Sequence, residues 1–161
     1  MDGWKYVNTI FQPSFTEKLD KDILLAWADL AEGCAHIAER GILHRDLTLD
    51  NILISLEGGK PVFKVSDFGV SGTAKDFADV PRGKMRNYPP EAMGGQDYTY
   101  TPASDLFMLG LVFWETLHGK LVWSQFNTHE ANKRVLAREK PEFETAVAEK
   151  CPPQLVSLII D

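Results

Sequence analysis

Between Pro102 and His118 the residues Leu106, Leu109, Val112, Phe113, Thr116 and Leu117 are spaced so that apolar side chains fall almost all round a helix. A helix of that kind must be central and buried, with the other elements packed about it. Gly119 ends it, and Asp105 and Glu115 bound its most apolar run, Leu106 to Trp114, which is well short of a membrane span. With 161 residues, 44% of them hydrophobic and 11% aromatic, the chain can bury a real core around this helix as one domain.

The remaining elements follow from periodicity. From Asp20 or Asp22 as N-cap, Ile23, Trp27, Leu30, Ala31, Cys34 and Ile37 recur at helical spacing as far as Arg40, and Gly41 is the stop. Trp27 and Cys34 are read as core packing. Ile52-Leu53-Ile54 and Val62-Phe63-Lys64-Val65 read as two short strands joined by Glu57-Gly58-Gly59-Lys60-Pro61. A more polar helix is expected over Thr128 to Arg138, and a last one starts at Pro152 and Pro153. Residues 1–19 have no persistent period and are expected as an opening loop or short helix. Gly69 to Met85 is polar and aperiodic, which is the composition of a mobile loop.

Between the first helix and the hairpin lies Gly41-Ile42-Leu43-His44-Arg45-Asp46-Leu47-Thr48-Leu49-Asp50-Asn51. It fits the pattern His-Arg-Asp-Leu, three residues, Asn, in which the acid serves a nucleophile and the amide holds metal. One match could be an accident of a charged loop between apolar runs. Here it has partners in order: Ser66-Asp67-Phe68-Gly69 one hairpin later, Pro89-Pro90-Glu91 closing the next loop, and Ser104-Asp105 opening the apolar helix.

Taken together, these motifs resemble the C-terminal lobe of a eukaryotic protein kinase domain, and the resemblance covers nearly the whole chain. It implies an α+β fold, mainly helical, with a small β-hairpin next to the catalytic loop. It implies transfer of the ATP γ-phosphate to a protein hydroxyl, with ATP and Mg2+ as cofactors and a protein substrate as partner. Asp46 would be the catalytic carboxylate, and Asn51 and Asp67 would hold the metal and nucleotide. His44 would pack near Phe68 and Gly69, Arg45 would pair a phosphate on Ser71, Thr73 or Tyr88, and Asp105 would accept hydrogen bonds from the catalytic-loop backbone. Glu91 matches a family Glu that pairs with a late Arg. His36, His118 and His129 are assigned to helix surfaces or packing.

Departures from the pattern bear on the substrate. Thr48 stands where most serine/threonine kinases have Lys, and Lys84 where they have Thr. Met85 to Ala92 and Phe113-Trp114-Glu115-Thr116 look closer to tyrosine kinases and the tyrosine-kinase-like group, yet the Arg that tyrosine kinases place just before the loop Asn is missing from Thr48-Leu49-Asp50. Tyr or Ser/Thr therefore stays open, with the former group slightly ahead. No Gly-x-Gly-x-x-Gly or Val-Ala-Ile-Lys precedes the loop, so residues 1–161 are expected to be a partial kinase domain truncated at both ends, which runs from about the hinge to the penultimate large helices, lacks the N-lobe and binds Mg-ATP weakly by itself. The competing reading is a non-catalytic pseudokinase or scaffold, against which stand the intact Asp46, Asn51 and Asp67. Small-molecule phosphotransferases are disfavoured by Pro90-Glu91 and the Asp105 helix.

Charge and cysteine usage set the remaining expectations. A formal charge of −6 and a pI near 5.2 argue against nucleic acid or an anionic membrane as the main partner. Cys34 and Cys151 are too few for a disulfide framework and are read as free thiols in a reducing compartment. Met1-Asp2-Gly3 begins no signal peptide, and no membrane segment is expected in the chain. These points give a cytoplasmic expectation.

Overall fold

The structure is a computed structural model that describes residues 21–73, 85–93 and 100–160. The expected opening loop over residues 1–19, the position of Lys84 and much of the Gly69–Met85 stretch lie outside the described residues. Helix α1 (Lys21–Glu39) buries Ile23, Ala26, Trp27 and Leu30, the i, i+3, i+4, i+7 stripe expected of one apolar face. It ends at Gly41, whose φ of +71° costs glycine little. The Gly41 N–H closes the last turn on the Ala38 carbonyl at 2.9 Å.

Beyond the loop, β2 (Ile52–Glu57) and β3 (Lys60–Val65) form an antiparallel hairpin, longer at the turn than the apolar residues alone indicate. Glu57 pairs with Lys60, so Gly58 and Gly59 make the whole turn, both with positive φ. That is the primed two-residue turn whose twist suits a hairpin. Ile52, Ile54 and Phe63 point into the core from one face, and α1 packs along β3. A second pairing was not legible in the sequence: β1 (Ile42–Leu43) runs antiparallel to β4 (Gly72–Thr73). Two residues a side carry no period, so the start of the expected loop is in fact tied to the strand before His44.

Helix α2 (Pro102–His118) occupies the predicted span, with Pro102 in its first turn and Gly119 at its C-terminus at φ +62°. Met108, Leu109, Val112 and Leu117 are almost fully enclosed, each such burial contributing roughly 1.5–3 kcal/mol. Trp27 of α1 stacks on Phe113 at 4.7 Å. The all-round apolar expectation needs one correction, because Leu106 is 67% exposed. Gly110 has a packing role: a Cβ there would lie 3.4 Å from the Ile159 carbonyl oxygen of α5 (Pro153–Ile160), which packs against α2.

The polar helix α3 (Thr128–Leu136) covers a second apolar cluster of Leu111, Trp114, Val122, Trp123, Ala131 and Val135. Its N-terminus is closed by a capping box between Asn127 and Glu130. A single turn, α4 (Thr145–Ala148), precedes α5. Cys34 and Cys151 are both free. Burial, reinforced by the nearby Asp105 carboxylate, pushes the Cys34 thiol up to about 12, so it is a packing group rather than a nucleophile. No helix among the described residues is long and apolar enough to cross a membrane.

One contact joins α2 to the loop between α1 and the hairpin. The Asp105 carboxylate, 8% exposed, accepts the His44 N–H at 2.7 Å and the Arg45 N–H at 2.8 Å. Replacing Asp105 with Ala leaves two buried donors without their acceptor, and we expect a loss of about 2–5 kcal/mol in urea unfolding. A change within about 0.5 kcal/mol, the range of an ordinary surface substitution, would show that the contact is dispensable.

The C-terminal third contains a pH-dependent contact. His118 stacks on Trp114 at 4.0 Å, donates from Nδ1 to the Trp114 carbonyl at 2.8 Å, and accepts the Glu144 N–H on Nε2 at 3.2 Å. The accepting Nε2 must be unprotonated. Burial lowers the pKa below the ordinary 6.5, partly offset by the Trp114 carbonyl and Glu144, while Lys120 lowers it further. The unfolded chain therefore takes up this proton first. The contribution of His118 is present above about pH 6.5 and is lost as pH falls through the folded value. His118→Phe should be less stable at pH 8 and should lack this part of the acid-side slope; an identical slope would exclude His118 as its source.

Candidate active site

The loop from His44 to Asn51 is held from below by Asp105 and from the side by Ser66. His44 is buried, with Nε2 at 2.9 Å from the Ser66 carbonyl oxygen and its ring edge-on to Phe68 at 5.0 Å. Ser66 donates twice to the Asn51 carbonyl, from its N–H and from Oγ, each at 2.9 Å. A chain of contacts thus runs from α2 through His44 and Ser66 to Asn51. The sequence showed Ser66 beside Asp67, but nothing in its residue type announced that it joins two loops.

Asn51 is the hub of the site. Its Nδ2 donates to Asp46 twice, to the carboxylate Oδ2 at 2.8 Å and to the backbone carbonyl at 2.8 Å. Asp46 is thereby fixed at the edge of the fold, half-buried, while Asn51 itself is buried. With its nitrogen committed to Asp46, the amide oxygen is the end of Asn51 that can face a cation.

Asp67 follows Ser66 directly and is exposed. Its backbone is left-handed, φ +59°, and its Oδ1 accepts the Gly69 N–H at 3.2 Å. A Cβ at Gly69 would lie 3.0 Å from that same oxygen, so glycine is what allows this turn. Arg45 is also left-handed, φ +71°, and only 2% exposed, with its guanidinium 5.9 Å from the centre of the Tyr100 ring. Two non-glycine residues in this sparsely populated region, one on each loop, store strain where a site is built.

The structure therefore brings Asp46 and Asn51 into direct contact and sets Asp67 one residue from Asn51's partner Ser66. Glu91 makes a different contact. It belongs to the short turn Pro90–Met93 and accepts the Ser104 hydroxyl at 2.6 Å, which ties that turn to the start of α2. Of the three hydroxyls read as phosphate acceptors, Ser71 donates to the His44 carbonyl at 3.1 Å, Thr73 is exposed, and Tyr88 packs half-buried against the core. Tyr100, which shields Arg45 and hydrogen-bonds Met108 Sδ at 3.4 Å, was missed by sequence reasoning.

Asn51 and Asp67 offer hard oxygens from an amide and a carboxylate. No cluster of three or more His, Cys, Asp or Glu suited to a metal exists among the described residues. A pair of protein oxygens is nonetheless sufficient for Mg2+, which keeps waters and takes phosphate oxygens to complete its shell. The donor set fits a magnesium nucleotide better than a structural metal.

Comparison with known proteins identifies the family of the chain. The protein kinase domain family model matches residues 5–161. The chain is 28% identical to the mitogen-activated protein kinase kinase kinase MCK1 of Pyricularia oryzae, over 96% of the chain and 10% of that protein. It is 32% identical to the MAP kinase kinase kinase mkh1 of Schizosaccharomyces pombe, over 79% of the chain and 11% of the relative. It is 34% identical to the probable serine/threonine-protein kinase roco6 of Dictyostelium discoideum, over 65% of the chain and 5% of the relative. The matched segment is thus about a tenth or less of these relatives' own length. With most of its residues matched by the family model and its helices and small antiparallel sheets as that family requires, the chain belongs to the protein kinase family.

Proposed function

We propose that residues 1–161 form the larger lobe of a protein kinase domain, and that the His44–Asn51 loop and Asp67 serve transfer of the ATP γ-phosphate to a protein hydroxyl. The observation that carries this reading is the 2.8 Å bond from Asn51 Nδ2 to Asp46 Oδ2, with Asn51 joined through its carbonyl to Ser66, the residue before Asp67. It fixes a carboxylate at the mouth of a loop without neutralising it. When bound, ATP supplies the phosphoryl group and Mg2+ neutralises the charge on its phosphates.

Each residue then has a defined task. Asn51, through its amide oxygen, and Asp67, through its exposed carboxylate, would hold the metal. Asp46 would orient the attacking hydroxyl and take its proton, with Oδ2 already anchored by Asn51 and the carboxylate half-exposed to an incoming chain. Asp105 would act through the backbone only, as a positioning residue. Similarity to roco6, a probable serine/threonine-protein kinase, favours a Ser or Thr hydroxyl for this chain, over the tyrosine side favoured by Met85–Ala92. An intracellular, cytoplasmic setting is part of the same proposal.

The sequence of 161 residues contains neither a Gly-x-Gly-x-x-Gly nor a Val-Ala-Ile-Lys pattern. This polypeptide by itself should therefore bind Mg-ATP weakly and transfer phosphate barely above background. Robust turnover by the purified chain would overturn that expectation. In the full-length gene product, Asp46→Asn should keep Mg-ATP affinity while transfer to protein falls roughly 10²–10⁴-fold. Asp67→Ala should instead remove the magnesium dependence of nucleotide binding. If Asp67→Ala bound ATP with the same magnesium dependence as the parent, the metal role would be lost and a scaffold would be the better description.

A further inference from the structure

Two short antiparallel pairings bracket the site. One ends where Ile52 meets Val65, and the other begins where Leu43 meets Gly72. Between them strand pairing stops, with residues 44–51 on one side and residues 66–71 on the other. A serine hydroxyl spans this gap at each end. Ser66 Oγ donates to the Asn51 carbonyl at 2.9 Å, and Ser71 Oγ donates to the His44 carbonyl at 3.1 Å. The two acceptors belong to the last and first residues of the His44–Asn51 loop. Both serines are half-buried, whereas Asp67, Phe68 and Gly69 between them are exposed. Asp67 is thus carried on a short bridge whose two ends are pinned by side chains.

The backbone alone calls for neither hydroxyl. The Asn51 carbonyl already receives the Ser66 N–H at 2.9 Å, a bond open to any residue except proline. His44 Nε2 meets the Ser66 carbonyl oxygen at 2.9 Å, again independently of the side chain at 66. At the other end the Ser71 N–H goes to the Phe68 carbonyl at 3.1 Å, so the hydroxyl is the group by which residue 71 reaches His44. What lies between the pins needs holding. Asp67 has φ +59°, a conformation that persists in a non-glycine residue only where its surroundings over-determine it. Its bond to the Gly69 N–H lies within the bridge and does not fix the bridge to the opposite loop.

For a metal held by Asn51 and Asp67, what matters is how the two oxygens lie relative to each other. Magnesium demands near-ideal octahedral geometry with short bonds, while calcium accepts longer and less regular ones. An alanine at 71 would leave the end of the bridge without its tie to His44, and Asp67 would be free to relax toward an ordinary backbone conformation. We infer that the Ser66 and Ser71 hydroxyls are positioning residues: by pinning residues 66–71 to both ends of the His44–Asn51 loop, they set Asp67 against Asn51 tightly enough to favour magnesium. The inference rests on the phosphoryl-transfer reading for the presence of the metal. Ser71 carries the larger share, because the Ser66 N–H and the His44 ring still hold the other end when the Ser66 hydroxyl is removed.

The test follows binding of a fluorescent ATP analogue to the full-length gene product, titrated with Mg2+ and separately with Ca2+. Ser71→Ala should raise the Mg2+ concentration needed for half-maximal nucleotide binding about threefold to tenfold, and Ser66→Ala should raise it less. The Ca2+ requirement should change by less than about twofold in both variants, since calcium tolerates the looser geometry. Ser71→Thr restores a hydroxyl and should return the Mg2+ requirement to within about twofold of the parent's. A merely structural role would move both cations alike. An unchanged Mg2+ requirement in Ser71→Ala, an equal rise for Mg2+ and Ca2+, or a loss that persists in Ser71→Thr would each overturn the inference. If Asp67→Ala abolishes the magnesium dependence while Ser71→Ala leaves it intact, this inference alone falls. If Asp67→Ala keeps the parent's magnesium dependence, the metal role itself fails and takes the inference with it.

Discussion

The site depends on a carboxylate that performs no chemistry. Asp105 is carried by the most enclosed helix of the fold and accepts two successive backbone N–H groups, from His44 and Arg45. Two donors on one carboxylate fix both the position and the direction of the chain as it enters the loop. Burial raises the pKa of this acid, and the Arg45 and His44 N–H groups pull it back, so the bonds are what keep a charge tolerable at that depth. A neutral amide could satisfy one N–H with its oxygen but would turn its own N–H2 toward the other.

The grip also explains how Arg45 can be left-handed. A non-glycine residue in that region costs of order 1–3 kcal/mol and persists only where its surroundings over-determine it. The Asp105 bond to its N–H and the Tyr100 ring beside its guanidinium provide those surroundings. Asp67 solves the same problem on the other loop with its own side chain, by accepting the Gly69 N–H. The strained residues thus flank Asp46 and Asn51, and each is restrained by a partner outside its own loop or by a glycine that admits the turn.

What was legible in the sequence follows from range. Helices α1 and α2 could be read almost to the residue, because their apolar spacing and the glycines at 41 and 119 are local signals. The strands of the hairpin were located, but they were drawn short at the turn, since Ser55 to Glu57 and Lys60-Pro61 lack apolar alternation and pair only because Gly58-Gly59 closes them. The β1–β4 pairing, the left-handed Arg45 and the double bond of Ser66 to Asn51 are long-range facts with no local trace. Leu106 misled for the opposite reason, since a leucine in an apolar run reads as buried whichever way the helix is turned. Candidate site residues were visible as a motif set, whereas their connection to one another had to come from coordinates.

The choice of an amide at position 51 follows from the two sides of its side chain. One side faces Asp46, where both a carboxylate oxygen and a backbone carbonyl need a donor, and Nδ2 supplies both at 2.8 Å. An aspartate there would set two carboxylates in contact and force one of them to hold a proton, and an apolar residue would leave the Asp46 carbonyl without its bond. The other side must be an oxygen if a hard cation is to be held beside Asp67, which excludes Lys or Arg. Glutamine has the same two ends, but its extra methylene would have to fit a position that is already buried and would displace the nitrogen from a carbonyl five residues back in the chain. Asparagine is thus the side chain that meets a donor requirement, an acceptor requirement and a length requirement together, and its backbone carbonyl, held twice by Ser66, keeps that compromise in register with Asp67.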